Sequence, residues 1–249
     1  MAFRSGRRGT VAIEFKDRSP KLSVNRPRSL GATWCSKYNP KYGKRAPRRR
    51  TGSLALARGL PRLARWPRLG VDRDLDLVES GGEVVLLDRL APPDDATEVW
   101  VRLDAHPPTV IVILNPDHVR DVDFFARRYN VRAFGPNVFH RGDVPETHLE
   151  AVEPAAKLPG GLIALYDGRG RNETPLFLPE QRALVFADAL TAPEGQLRVW
   201  STPWHNELVL PALRALLELP FEWVIVSHGE PLHNRAAYER ALDLPPWDG

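Results

Sequence analysis

The run Thr109-Val110-Ile111-Val112-Ile113-Leu114 is apolar after its first residue and largely β-branched, the mark of a strand covered on both faces. From Asp117 the pattern changes: Val119, Val122, Phe125, Ala126 and Tyr129 recur with a helical period and stop near Asn130. Val131 to Phe134 reads as another strand. Strand, helix, strand at this spacing predicts a βαβ unit with parallel neighbours.

Upstream, Asp74 to Glu79 alternates apolar and polar, Gly81-Gly82 marks a tight turn and Val84 to Leu87 is a short buried run, which together predict a hairpin. Glu98 to Leu103 alternates in the same way and reads as extended. Downstream, Gly161 to Tyr166, Thr174 to Leu178 and Ala183 to Ala187 form an antiparallel meander, with Pro179 to Arg182 as the last turn. Leu208, Leu210, Leu213, Leu216 and Leu217 stripe one helix, Trp223 to Val226 is a buried strand, and Ala236 to Leu242 is a final helix. This order predicts an α/β (α+β) chain, a four-layer αββα sandwich of two mixed sheets.

Charge divides the chain more sharply than pattern does. Of the 249 residues, 1–70 hold 19 basic and two acidic side chains, Glu14 and Asp17, so that segment is +17 and the remainder −13 within a net charge of +4. We therefore divide the chain into a basic segment, 1–70, and a patterned domain, 71–249. Arg7-Arg8, Lys44-Arg45 and Arg48-Arg49-Arg50 alternate with prolines in the first, a composition that predicts disorder. Two readings of it stay open. It is an over-extended start, with initiation at Leu69 or Val71, or it is a tail in which arginines pair with nucleic-acid phosphates while Trp34, Tyr38 and Tyr42 stack on bases. No apolar run approaches the roughly 18 residues of a membrane span. Cys35 is the only cysteine, which excludes an intramolecular disulfide and a CxxC metal site. Cytoplasm is the expected compartment.

Polar residues just beyond the carboxyl ends of buried strands gather around ligand crevices in α/β folds. Three such ends stand out: Asn115-Pro116-Asp117-His118-Val119-Arg120 after Leu114, Asp188 after Ala187, and Ser227-His228-Gly229 after Val226. Aspartates and histidines at separate strand ends are suitable metal ligands or acid/base groups. Ser201-Thr202-Pro203-Trp204-His205 is weaker, and is read as a packed tryptophan beside a surface histidine. His106, His140, His148 and His233 have no ligating spacing.

These segments resemble the metallo-β-lactamase-fold superfamily. Its His-x-His-x-Asp-His loop falls on Asn115 to Arg120, its Leu-Phe-x-x-Asp strand on Leu184-Val185-Phe186-Ala187-Asp188, its late His-Gly on His228-Gly229, and its His-Thr-Pro element on Glu173-Thr174-Pro175. The resemblance spans about 72–235 and implies a hydrolase-like domain acting on an ester, thioester, lactam or phosphoester through metal-activated water. In register, however, family ligands are replaced by Asn115, Asp117, Val119, Arg120 and Glu173. Valine cannot ligate, and a guanidinium has no lone pair for a metal. The two-metal site is broken, and the domain is expected to be degenerate to the point of inactivity.

Two outcomes follow for the pocket formed by Asn115, His118, Arg120 and Glu173. In the favoured one no metal binds, and Arg120 pairs with Asp188 or Glu173. In the alternative, one divalent ion, Zn²⁺, Mn²⁺ or Mg²⁺, sits on Asp117, Asp188 and His228, with Glu173 as a further oxygen donor. A non-catalytic protein that takes a small anionic or polar molecule into the same pocket is the rival to a hydrolase.

Overall fold

The computed structural model describes residues 65–66, 71–72, 77–88, 90–169 and 173–248, which lie in the unit Pro61–Gly249. The arginine clusters of 1–64, and the nucleic-acid partner read from them, fall outside these residues. One sheet runs in chain order: β1 (Arg65–Trp66), β2 (Val71–Asp72), β3 (Leu77–Ser80), β4 (Glu83–Leu87), β5 (Val110–Val112), β6 (Arg132–Gly135) and β7 (Leu149–Ala151). Pairing is antiparallel from β1 to β4 and parallel from β4 to β7. Strand β1 precedes the boundary drawn at residue 70 and pairs Trp66 with Val71, so a chain begun at Leu69 or Val71 would lack it.

The parallel half needs crossovers, and helices α1 (Thr97–Ala105) and α2 (Val122–Tyr129) supply the first two. The second sheet pairs β8 (Ile163–Ala164), β9 (Leu176–Leu178) and β10 (Ala183–Phe186) antiparallel, and adds β13 (Trp223–Val226) parallel to β10. Between β10 and β13 lie a small hairpin, β11 (Leu190–Thr191) and β12 (Arg198–Val199), and helix α3 (Leu210–Ala215); α4 (Arg235–Ala241) follows β13.

Strand periodicity sorts the side chains into three cores. Val78, Val85, Leu87, Val110, Val112 and Leu114 from the first sheet meet Leu176, Leu178, Ala183, Val185 and Trp223 from the second. Their neighbours in sequence point the other way: Leu77, Leu86, Ile111 and Ile113 pack on Leu103 of α1 and Val122 and Phe125 of α2. Leu184, Phe186, Val224 and Val226 pack on Leu213 of α3 and on Tyr238 and Ala241 of α4. Helix, sheet, sheet, helix is thus the predicted four-layer order. Each large side chain so buried contributes about 1.5–3 kcal/mol, which is why runs such as Val110–Val112 and Ala183–Phe186 carry no polar residue on either face.

Two elements differ from their sequence reading. The helix striped by Leu208 to Leu217 is a π turn (His205–Val209), α3 and a 3-10 turn (Leu216–Glu218), with Leu208 exposed, and the strand read over Glu98 to Leu103 is a helix. Thr97–Ala105 is helical, and of its apolar residues only Leu103 is fully buried while Val101 is 61% exposed. Val99, Val101 and Leu103 are spaced by two, but the separation of four between Val99 and Leu103 is also one helical turn. Val99 and Trp100 lean on the same core as Leu103, so the helical face prevails. The βαβ helix also starts later than Asp117: Pro116–His118 is a separate 3-10 turn, and α2 ends with Asn130 in the left-handed conformation, φ 52°.

Candidate metal centre

Strands β4 and β5 are neighbours inside the first sheet, β10 and β13 are neighbours in the second, and residues just beyond the carboxyl ends of these strands converge. Nε2 of His228 lies 3.0 Å from Oδ1 of Asp188, and Nε2 of His118 lies 3.7 Å from the same oxygen. One ligating atom each from His118, Asp188 and His228 falls within 4.8 Å of the others. Donors about 2.0–2.2 Å from a tetrahedral ion stand roughly 3.4 Å apart, a value that the two measured separations bracket.

Each residue is held from behind. Asn115 accepts the Asp117 N–H at 2.9 Å and so caps the 3-10 turn that carries His118; its amide donates to Oδ2 of Asp188 at 2.6 Å. The same side chain thereby ties the two loops together and leaves Oδ1 of Asp188 for the histidines. Nδ1 of His118 lies 3.0 Å from Oδ2 of Asp88, out of line for a straight hydrogen bond and with no other partner for either atom among the described residues. Oδ1 of Asp88 accepts the Leu114 N–H at 2.7 Å. Burial pushes the Asp88 carboxyl up, and His118 pulls it partly back. Burial also opposes a charge on His118, but Asp88 and Asp188 outweigh it and raise the imidazole above its ordinary value.

His228 depends on the glycine after it. Gly229 has φ +145°, and a Cβ there would stand 2.5 Å from that of Ala192. Only glycine lets Ala192 close in, and its N–H donates to the His228 carbonyl at 2.9 Å. Exposure grades across the cluster, from 7% for the His118 side chain through 25% for Asp188 to 56% for His228. The open side faces a cleft of about 500 Å³ lined by Leu90, Arg120, Ser227, Gly229 and Pro231 among others.

Glu173 stands apart from this cluster. Its Oε1 accepts the Ala187 N–H at 2.9 Å, and Oε2 accepts those of Asp188 and Ala189 at 2.9 and 2.8 Å and pairs with the Arg169 guanidinium. Arg169 in turn binds Asp167, and both carboxylates are fully buried. Burial pushes Glu173 and Asp167 up while the guanidinium between them pulls both back. The pairing expected between Arg120 and Asp188 or Glu173 does not form: Glu173 is taken by Arg169, Asp188 lies between the two histidines, and Arg120 is exposed at the cleft, with no ion pair among the described residues.

The structure thus brings His118, Asp188 and His228 together, with Asn115 behind them and Arg120 at the rim. Asp117 is exposed and outside the cluster. Asp88 was missed by the sequence reading although it follows the buried run Val84 to Leu87, the same signal that marked Asp188. The reading of Trp204 and His205 is reversed: Trp204 is 38% exposed and His205 is buried. His106, His140, His148 and His233 are exposed and join no cluster.

No family model matches the sequence, and no curated protein matches it. Solved structures do. A metallo-β-lactamase family protein from Thermus thermophilus is 19% identical, with 67% of this chain and 72% of that one covered at a TM-score of 0.50. The metallo-β-lactamase FIM-1 from Pseudomonas aeruginosa, in its mono-zinc form, is 19% identical over 68% of this chain and 80% of its own, TM-score 0.50. The DIM-1 metallo-β-lactamase is 14% identical over 68% and 84%, TM-score 0.50. Among the described residues no helix is long and apolar enough to cross a membrane. Two mixed sheets face to face, a helical layer outside each, and polar strand ends gathered at one edge give this chain the metallo-β-lactamase fold.

Proposed function

We propose that the domain binds one divalent metal ion on His118, Asp188 and His228 and hydrolyses a small anionic ester, thioester, lactam or phosphoester in the cleft above it. The observation that supports this reading is the convergence of two imidazole nitrogens and one carboxylate oxygen within 4.8 Å, with both imidazoles on the wall of the cleft. Two nitrogens and one oxygen suit Zn²⁺, and also Mn²⁺ or Fe²⁺, better than Mg²⁺. When bound, such an ion supplies Lewis acidity and lowers the pKa of water beside it. The chain does the rest. Asp88 faces Nδ1 of His118, so that the proton stays on that nitrogen and Nε2 turns its lone pair to the cleft. Asn115 occupies Oδ2 of Asp188 and so directs Oδ1 inward. Arg120, with no carboxylate partner among the described residues, supplies the fixed positive charge that holds an anionic group at the rim.

The direct test is metal analysis of protein purified without chelator, followed by a titration with Zn²⁺ and Mn²⁺. About one equivalent, lost in His228→Ala, is the expected result, together with turnover in a panel of anionic esters and phosphoesters that weakens in Arg120→Ala. Absence of binding to either ion overturns the metal reading. The free guanidinium of Arg120 would then favour a non-catalytic site for a small anion, detectable as ligand-dependent thermal stabilisation that Arg120→Ala abolishes.

A further inference from the structure

We infer that Glu173 is a positioning residue: its buried carboxylate gathers the backbone N–H groups of Ala187, Asp188 and Ala189 and so aims the Asp188 side chain at His118 and His228. This rests on the proposed metal site for its functional meaning, but the geometric claim stands without it. Strand β10 ends at Phe186. Beyond it the ladder no longer fixes the chain, and three successive N–H groups need acceptors in the interior. Glu173 supplies all three, at 2.8–2.9 Å. Its own charge is held by Arg169, itself paired with Asp167, and Thr174 fastens the adjoining backbone by donating its N–H to the Leu114 carbonyl at 2.9 Å.

Both oxygens of Glu173 are therefore committed to backbone and guanidinium, and neither is free to ligate. The anion acts one bond removed, through the peptide units on either side of Asp188. A neutral amide of the same shape presents one acceptor oxygen and sets an NH₂ against N–H groups, so one or two of the three bonds fail. With the backbone released, the Asp188 carboxylate loses its fixed distance to the histidines.

The experiment compares E173Q and E173D with wild type and with F221L, a control in the outer core where Phe221 is buried against Tyr238. E173D keeps the charge but withdraws the carboxylate from the 187–189 backbone, and serves should E173Q fail to accumulate. Zn²⁺ affinity is measured at a temperature where every variant is folded, and the metal-free variants are crystallised. The expected result is a 10–100-fold loss of affinity in the Glu173 variants, none in F221L, and an Asp188–His228 separation clearly beyond the present 3.0 Å. Unchanged affinity with Asp188 still in place overturns the inference, as does an equal loss in F221L. If wild type binds no Zn²⁺, the metal reading fails alone, and the position of Asp188 in the crystals still decides the role of Glu173.

Discussion

The two loops that meet at the cleft are built on opposite plans. The 187–189 turn is gripped through its backbone by one fully buried carboxylate, Glu173, whose charge is balanced inside the protein by Arg169. The 115–120 turn is gripped through side chains: Asn115 caps it and reaches across to Asp188, while Asp88 backs His118. A backbone grip ties the position of Asp188 to the stability of the fold. A side-chain grip sets the orientation of one imidazole and touches little else. Damage to the first should therefore unfold and disarm the domain together, and damage to the second should disarm it alone.

The largest effect expected is that of Arg169→Ala. Removing the cation between Asp167 and Glu173 leaves two buried carboxylates uncompensated, and about 3–5 kcal/mol of stability is lost. Chemical denaturation measures this, and a loss below about 1 kcal/mol would show that the 187–189 turn does not depend on its buried charges. On the other loop, Asp88→Asn keeps an acceptor for the Leu114 N–H but removes the charge facing His118. Metal affinity should fall about 10–100-fold with stability within about 1 kcal/mol of wild type. Equal damage to stability would erase the contrast between the loops.

Within the 115–120 turn the adjacent residues Asp117 and His118 sharpen the point. His118→Ala should abolish metal binding, whereas Asp117→Ala, on the exposed side, should leave it intact and shift stability by no more than about 0.5 kcal/mol. Isothermal titration separates the two outcomes. If instead Asp117 proves essential, the cluster is not the binding site.

The smallest effect concerns protons. His205 and His118 are both buried, but only His118 has carboxylates beside it. Burial lowers His205 below its ordinary value of 6.5, so the unfolded chain takes up its proton first. The stability it contributes is complete above about pH 6.5 and is lost as pH falls through that value toward the lower folded pKa. His118 is raised above 6.5, so its contribution is complete below that pH and is lost as pH rises through the folded value. The pH dependence of the unfolding free energy of the metal-free protein between about pH 5 and 8 should accordingly change in opposite directions in His205→Gln and His118→Gln. The same direction in both would mean that Asp88 and Asp188 do not outweigh burial at His118.

Much of this organisation was legible in the residues. Val110–Val112 could only be a covered strand, the stripe Val122, Phe125, Ala126 and Tyr129 could only be a helix against it, and Asp188 and His228 stand where buried strands stop. The failures have physical causes. Over Glu98 to Leu103 the two periodicities share the step of four, and only the hydrophobic pocket beneath Val99, Trp100 and Leu103 chose the helix. Asp117 and His118 are neighbours in a turn, so no period says which faces inward; Asn115 decides it by capping the turn. Glu173 has the donor atoms of a ligand, and which partners claim them depends on Arg169 and on backbone 14 to 16 residues away in sequence.

The sequence by itself determined the layers of this protein, because the burial of alternate side chains is written in local periodicity. It also marked the strand ends where polar side chains gather, since a polar residue directly after a buried run needs a partner or an opening there. Tertiary structure alone decided that His118 joins Asp188 and His228, that Asp88 backs it, and that Glu173 serves the backbone of Asp188. Those roles rest on distances of about 3 Å between residues 15 to 40 positions apart, and hydrogen bonds and charges at that range are set by how the sheets pack rather than by any neighbour along the chain.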